Sequence, residues 1–513
     1  MSGLDDTISD QEQSIRLTFD AKEVDTGAAL VNGESVVLDA AEGLRLRKKI
    51  DRHILPLMCI LYLIQAMDKS TLSYSAILGI RTATHLTTNQ YNWLGTIYSL
   101  SYLFFEYPQN LALQRFPAAK WMSLNIFIWS IYVMCHAACT NFAGLFVLRL
   151  IVGMCEGAIT AGFMISSSMF WTRNEQFVRI GLWYSMTGAA SIVGGFVSFG
   201  SLHIHTKSFE PWQWLMVITG AMTFLIGVVF YLYFPDAPTN AWFLTEDEKI
   251  KAIQRANQTG IENKFFKKTQ LSDAMTDAKT WLFGFYGVLC GVAAGGLIFQ
   301  RQIIVSSFGF SNLQTTLLGC VDGVIVIVSI YIGVRLASRI PDSRAWLSMA
   351  FYIPNILGLL LVNLLPWSNQ IGLLFSMWLT NINTASFVLV LVWVGQTTAG
   401  HTKKVTTNAI MLSGNCLGAA VAQFLWQARF RPRNHIPWIG TGIAYVLSLA
   451  TLFSIRVILD LRNKRRATDT HDDSEEDIYV LTFDGDGKEV EVKVDKEFLD
   501  LTDMQNKDFR YVL

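Results

Sequence analysis

Charge is what this sequence has little of. Only 16% of its 513 residues are Asp, Glu, Lys or Arg, where a soluble chain carries about 25%. With 51% hydrophobic residues and a mean hydropathy of +0.34, the composition is that of an integral membrane protein. Net charge is zero, and the lysines and arginines gather at the ends of apolar runs rather than on one face, so nothing points to nucleic acid. The seven cysteines (59, 135, 139, 155, 290, 320, 416) fall inside apolar runs without a CxxC-type cluster. Although Cys135 and Cys139 share a helix face, all seven read as small hydrophobes, not disulfides or metal ligands. No GxxxxGKS/T, GxSxG or HExxH pattern occurs, so neither an ATP-driven pump nor a hydrolase is supported, and no enzyme, cofactor or metal is expected. The opening MSGLDDTISDQEQ lacks the basic and apolar regions of a cleaved signal peptide. The first apolar span is expected to target the chain instead.

What is present is a series of long apolar runs. Twelve are predicted, at about 54–75, 91–113, 121–139, 142–165, 178–201, 212–234, 281–303, 313–336, 344–365, 371–395, 406–427 and 437–459. The expected fold is an all-α membrane protein: an N-terminal tail (1–50), six helices (51–234), a polar central loop (235–280), six more helices (281–459) and a C-terminal tail (460–513). Basic residues crowd the segments on one side, among them Arg45, Arg47, Lys48, Lys49, Arg52, Arg115, Lys120, Arg335, Arg339, Arg344, Lys403, Lys404, Arg462, Lys464, Arg465 and Arg466. The opposite segments carry Arg81, Lys207, Arg429, Arg431 and Arg433. The positive-inside rule therefore places both termini in the cytoplasm. Arg115-Phe-Pro-Ala-Ala-Lys120 after the second run recurs as Arg339-Ile-Pro-Asp-Ser-Arg344 after the eighth, which favours two parallel repeats around one pathway. In the central loop, Thr245-Glu-Asp-Glu248 reads as a capping box opening an amphipathic helix with Ile250 and Ile253 on one side. The sequon Asn257-Gln-Thr259 falls on the cytoplasmic side and is discounted. The C-terminal tail shows no catalytic pattern.

Arg149 and Glu156 interrupt the fourth run. They are two helical turns apart, so they point to the same side of one helix. A charge at mid-bilayer costs about 2.5–3.5 kcal/mol by the lower estimates, so each should face a polar cavity or a partner helix. Either they form a structural ion pair, or Arg149 holds an anionic group while Glu156 carries a proton. Gly153 and Gly157, four apart, allow a neighbouring helix to approach closely.

Several stretches carry a family resemblance: AMDKSTLSYSA (66–76), EYPQNLALQRFPAAKW (106–121), RLIVGMCEG (149–157), FWTRNEQFVRIGLWYS (170–185), WFLTEDEK (242–249), SSFGFSNLQTTLLG (306–319), WVGQTTAGHTKKVTTNAI (393–410) and DLTDMQNKDFRYVL (500–513). From about residue 45 to the end, the chain resembles the fungal allantoate permease family of anion:cation symporters, within the major facilitator superfamily. The resemblance implies alternating access around a mid-membrane site between two six-helix halves. It also implies a small organic anion, a carboxylate, moved inward with protons. The family usually has Asp-Arg-x-Asn in the first span; here the motif is Asp68-Lys69-Ser70-Thr71, which keeps the cation and loses the planar fork of an arginine. An aspartate common in the superfamily's loop between spans 2 and 3 is missing, and span 5 lacks the glycine-proline kink of drug:proton antiporters.

On this reading Arg149, Lys69, Arg301, Gln300, Asn381, Trp393 and Gln396 are candidates for substrate binding, and Glu156 and Asp68 for proton coupling. Asp68 and Lys69 lie about 100° apart on a helix, so one is expected toward the cavity and the other toward a neighbouring helix. Lys69 and Arg301 are alternatively snorkelling cations at the membrane interface, and Asp322 an acid paired within the second half. Asn381, Asn383 and Gln396 alternatively join helices. Arg115, Lys120, Arg339, Arg344 and His401 are candidates for gate contacts; the four cations are alternatively topology determinants alone. The leading expectation is a monomeric, proton-coupled importer of a small organic anion in the cell membrane, partnered by lipid, protons and substrate. An exporter of an acidic metabolite with the same fold, and a ligand sensor that does not transport, are the alternatives.

Overall fold

The computed structural model describes residues 17–20, 40–204, 206–257, 267–431, 433–468, 478–483, 489–493, 501–506 and 509–513. MSGLDDTISDQEQ and positions 258–259 of the sequon lie outside the described residues. Among the described residues, twelve long helical spans form the bundle. Spans 1–6 are Leu55–Ile77, Thr88–Arg115, Ala118–Cys135, Phe142–Phe170, Arg173–Leu202 and Pro211–Tyr233. Spans 7 and 8 are Ala278–Ser307 and Asn312–Arg339. Span 9 is Arg344–Ala350 with Tyr352–Leu364, and span 10 is Gln370–Leu379 with Asn383–Thr397. Spans 11 and 12 are His401–Ala422 and His435–Thr468. Eleven are long and apolar enough to cross a membrane by composition. Span 2 has 28 residues, about 42 Å of helix. Its Asn92, Glu106, Gln109 and Asn110 make it the polar one, and all four are buried against other spans.

The two halves repeat. Spans 1 and 5, 2 and 4, and 3 and 6 pack together, and the same pairs recur as 7 and 11, 8 and 10, and 9 and 12. The halves meet where span 2 packs on span 11, span 5 on span 8 and span 1 on span 7. Local chemistry repeats as well. Span 2 starts on a Thr87–Gln90 capping box and span 8 on a Ser311–Gln314 capping box, each satisfying backbone N–H groups that the first helical turn leaves without partners. At the crossing of spans 5 and 8, a Cβ on Gly323 would stand 2.2 Å from the Gly188 carbonyl oxygen, and a Cβ on Gly188 2.4 Å from that of Gly323. Only backbone fits there. Gly323→Ala is therefore expected to cost about 1–3 kcal/mol, read as a lower melting temperature of the purified protein.

One end of the bundle carries the linker helices and the terminal segments. The helix Ala40–His53 and the linker helix Glu246–Asn257 dock on the first half. Lys49 Nζ lies 2.5 Å from Glu248 Oε2, and Arg179 grips both oxygens of Asp51 at 3.1 and 2.6 Å. The Thr245–Glu248 capping box opens the linker helix. Its buried side is Ala252 and Arg255, which pairs with Glu175, whereas Ile250 is exposed and Ile253 half-buried. The cysteines are all free; Cys155 and Cys290 are buried, but Cys135 is exposed on the bundle surface.

The C-terminal segment docks on the second half. Asp503 lies 2.9 Å from both Lys279 and Lys403, and Asp277 lies 3.0 Å from Lys403 and 2.7 Å from Arg462. The Tyr511 hydroxyl donates to Asp503 (2.8 Å), and Arg344 N donates to the Leu513 carbonyl (3.1 Å). Burial raises the Asp503 carboxyl, but the Lys279 and Lys403 ammoniums outweigh it and hold the group below the ordinary carboxylate range. The stability from that depression is complete above the unfolded value of about 3.9 and is lost only as pH falls through the lower folded value. Protease sensitivity of the C-terminal segment is therefore expected to be the same at pH 5 and pH 6.5.

The all-α fold is as expected; besides the helices, the described residues hold three short strands in the terminal segments: β1 (Leu17–Asp20), β2 (Ile478–Phe483) and β3 (Glu489–Lys493). β1 pairs parallel to β2, with Leu17 opposite Ile478, and β3 pairs antiparallel to β2, with Glu489 opposite Phe483.

Candidate functional site

A cavity of about 290 Å³ lies between the halves. Gln65, Lys69 and Ser73 of span 1 are four residues apart and form one stripe on its first-half wall. Tyr184, Thr187 and Ser191 of span 5 extend that wall. The second-half wall carries Arg301 and Gln302 of span 7, Asp322 of span 8, Asn415 of span 11 and Thr380, Asn381 and Asn383 from span 10. Span 10 is interrupted at residues 380–382. Thr380 donates from its hydroxyl to the Met377 carbonyl, and Asn383 N donates to the Asn355 side chain, local bonds that compete with the helical ladder. Non-helical backbone at this depth is tolerated where it lines a cavity.

Lys69 reaches the cavity with its side chain 27% exposed, and its Nζ stands 4.0 Å from Glu156 Oε2. Glu156 is fully buried behind it. The Tyr98 hydroxyl donates to the same Oε2 at 2.5 Å, and Gln65 donates to the Glu156 backbone carbonyl at 3.1 Å. Glu156 Oε1 has no hydrogen-bond partner among the described residues. The neighbouring Asp68 turns away from the cavity and accepts from Thr223 of span 6 at 3.2 Å, so the adjacent pair divides between cavity and neighbouring helix. Close packing brings Tyr98 to Glu156: a Cβ on Gly153 would stand 2.4 Å from the Tyr98 carbonyl oxygen.

Arg149 is buried, but it forms no ion pair with Glu156 among the described residues, and its Nε has no partner there. Of the two alternatives for these residues, the mutual ion pair is not formed among the described residues; Glu156 stands beside Lys69 instead. Two turns place the side chains about 10.5 Å apart along the axis, so sharing a side does not bring them into contact. Arg149 also does not line the cavity.

Arg301 lines the cavity and is buried, not snorkelling. Nε donates to Asp322 Oδ2 (2.7 Å) and Nη2 to Oδ1 (2.6 Å). Nη2 also donates to the Met377 carbonyl, and Nη1 to Asn381 (3.1 Å) and Thr380 (3.4 Å). Asn381 in turn donates to Asp322 Oδ1 at 3.1 Å.

The other candidates lie elsewhere. Gln300 points away from the cavity and donates to Asn92 of span 2 at 2.9 Å, part of the seal at the end of the bundle far from the linker. Tyr91 bonded to the Phe299 carbonyl (2.9 Å), Asn92 to the Trp426 carbonyl (2.9 Å) and Asn312 to the Ile77 carbonyl (3.0 Å) belong to the same seal. Trp393 gives no stacking surface to the cavity: it is buried, and its indole donates to the Val512 carbonyl of the C-terminal segment at 2.7 Å. Gln396, one turn further on, is also buried away from the cavity. Both follow the helical rotation of span 10, which carries its last turns toward the linker end. Arg115, Lys120 and Arg339 are exposed there, and Arg344 sits 5.6 Å from the Phe177 ring across the halves. His401 lines a separate crevice of about 610 Å³ between spans 2, 7 and 11, where Ser413 donates to the buried Glu106 at 3.3 Å. Sequence reasoning passed over Gln65, Tyr98 and Glu106; the four-residue spacing of Gln65 from Lys69 was the readable signal for the first.

The Major Facilitator Superfamily model matches residues 58–458. The thiamine pathway transporter of Saccharomyces cerevisiae is 34% identical, over 91% of this chain and 86% of its own length. The allantoate permease of the same yeast is 31% identical, over 99% and 91%. Among solved structures, a bacterial homolog of the human lysosomal transporter Spinster, inward-facing and occupied, aligns with a TM-score of 0.54 at 15% identity, over 82% of this chain and 98% of that one, a likeness of fold. The chain belongs to the major facilitator superfamily, among the fungal transporters that include the allantoate permease.

Proposed function

We propose that this transporter imports a small organic anion, a carboxylate, together with protons, by alternating access as a monomer in the plasma membrane with both termini cytoplasmic. The observation that carries the reading is Lys69 on the cavity wall, held at 4.0 Å by a fully buried Glu156. Oε1 of Glu156 lacks a partner among the described residues, and a buried, incompletely bonded carboxylate is costly when ionised. A proton on Glu156 removes that cost and frees the Lys69 ammonium for the carboxylate of the substrate. The Lys69 charge is thus balanced either by ionised Glu156 or by bound anion with Glu156 neutral, which couples one to the other. Tyr62, Tyr184 and Phe387 supply aromatic wall for the body of the substrate. The basic linker end faces the cytoplasm by the positive-inside rule, so the polar seal at the other end closes the outer face. The permease named for allantoate, itself an anion, supports the substrate class.

Uptake of a panel of radiolabelled small carboxylates at pH 5 and pH 7.5, in a host without its own permeases, tests this. Acid-stimulated uptake is expected. Lys69→Met is expected to raise the apparent KM by about 10- to 100-fold, the loss of a charge-assisted contact. Absence of uptake with faster exit of preloaded acid would overturn the importer reading.

A further inference from the structure

We propose that the sealed outer end of the bundle carries an anion-capture site, in which Arg431 holds a small anion in a pocket beside the seal while Arg81, Arg429 and Arg433 draw it in. The site lies outside the central cavity, and it rests on the reading of the protein as an importer of an anion. The segments joining the spans at this end hold five cations, Arg81, Lys207, Arg429, Arg431 and Arg433, and one acid, Glu210. That acid is engaged locally, accepting from the Trp212 indole at 2.9 Å. Three of the cations fall within Arg429-Phe-Arg-Pro-Arg433, just before span 12. Topology does not call for them, since the positive-inside rule favours cations at the other end. Internal bonding does not either. Among the described residues none of the three makes a side-chain hydrogen bond or ion pair, and Arg429 only lies over the Phe430 ring. Like charges held together repel, and an anion between them offsets that repulsion.

A pocket of about 110 Å³ receives this cluster, lined by Gln300 and Ser307 of span 7 and by Trp426, Arg431 and Asn434. Gln300, one of the candidates for substrate binding, lines this pocket rather than the cavity. The pocket adjoins the seal, because Gln300 donates to Asn92 of span 2 and Asn92 donates to the Trp426 carbonyl. Arg81 comes to the same seam from the first half. It donates to the Thr88 hydroxyl at 3.2 Å and lies 5.6 Å from the ring of Tyr91, whose hydroxyl donates to the Phe299 carbonyl. Partial burial and the Arg81 charge both lower the Arg431 guanidinium from its ordinary value, two costs that a bound anion relieves. Pockets for whole ligands run to about 300 Å³ or more. This one has room for a carboxylate group or a small inorganic anion, not for a lipid headgroup with its chains. It stands outside the closed seal, so it can fill before the path opens. A cationic mouth raises the local concentration of anions, and salt screens the effect. Such a field acts on charge alone, so selection among anions is left to the cavity.

Uptake by intact cells presents only this face to the medium and tests the site. The probe is the labelled carboxylate taken up best in the panel. Sodium chloride sets the ionic strength at 10 or 150 mM, and sorbitol holds the osmolarity. The variants are Arg429→Gln/Arg431→Gln/Arg433→Gln and Arg429→Lys/Arg431→Lys/Arg433→Lys, with kcat/KM normalised to surface expression. At 10 mM the Gln variant is expected to lose about fivefold or more in kcat/KM. The loss should shrink by about threefold or more at 150 mM, as the screening length falls from about 30 Å to about 8 Å. The Lys variant keeps the charge and should keep most of the parent's salt dependence. Sulfate added at fixed ionic strength should inhibit the parent about threefold more strongly than the Gln variant. A deficit in the Gln variant that is the same at both salt concentrations, or shared in full by the Lys variant, would overturn the proposal and make the arginines structural. No deficit at either concentration, or equal inhibition of parent and Gln variant by sulfate, would overturn it too. No uptake of any carboxylate, or uptake of the primary amide as fast as that of its acid, would overturn the anion reading and the capture site with it.

Discussion

Glu156→Gln is expected to abolish acid-stimulated accumulation, by on the order of 100-fold at pH 5, while leaving exchange of substrate across the membrane intact. Glutamine has the size of a protonated glutamate and is always neutral, so it mimics the state in which Lys69 is free for substrate. What it cannot do is give up a proton and recapture Lys69. Substrate then binds and exchanges, but no proton gradient drives it uphill. Net uptake and counterflow, measured side by side with surface expression normalised, separate this result from misfolding, which would remove both. The magnitude follows from one proton carried per anion: each pH unit across the membrane drives about a tenfold accumulation, so about two units between medium and cytoplasm give about 100-fold. Uptake in the variant that remains stimulated by acid would demote the Lys69–Glu156 pair to structure.

Asp503→Ala is expected to destabilise the protein by about 3–5 kcal/mol, the cost of leaving a buried charge without its partner. Lys279 and Lys403 are both fully buried and share Asp277 and Asp503 between them. Removing Asp503 leaves two ammoniums with one carboxylate, which also serves Arg462. The C-terminal segment should detach with it, since Tyr511 donates to the same carboxylate. Melting of the purified protein measures the loss, and adding Lys279→Met to the variant should recover part of it by restoring the charge balance. A melting temperature unchanged by Asp503→Ala would show that the segment rests on the bundle without holding it.

Much of the architecture was legible because hydrocarbon imposes a simple rule on sequence. The twelve runs match twelve spans, and even span 2, the polar one, was found from its length of mostly apolar residues. The division of Asp68 and Lys69 between neighbour and cavity followed from the 100° between adjacent helical positions. Partnerships between spans were not legible. Seven-residue spacing put Arg149 and Glu156 on one side of a helix, but the partners of Glu156 came from Lys69 on span 1 and Tyr98 on span 2. Arg301 found Asp322, Asn381 and Met377 on two further spans, and no local pattern announces such a network. Trp393, a candidate for substrate binding, instead donates to the Val512 carbonyl of the C-terminal segment. Asp503 and Lys279 are 224 residues apart, too far for any periodicity to connect. Two signals could have been read: the matching capping boxes at Thr87 and Ser311, and the β-branched and aromatic runs on either side of Asp484-Gly-Asp-Gly487 that pair as β2 and β3.

Coupling itself is measured most directly in sealed proteoliposomes that carry a pH-sensitive dye inside and the full-length protein in the membrane. The carboxylate taken up best in the uptake panel is added outside with no initial pH gradient. The Lys69–Glu156 exchange predicts that the lumen acidifies as the anion enters, that the acidification ceases in Glu156→Gln, and that labelled substrate still exchanges in that variant. Entry of the anion with no change in luminal pH would contradict proton symport, and with it the role assigned to Glu156.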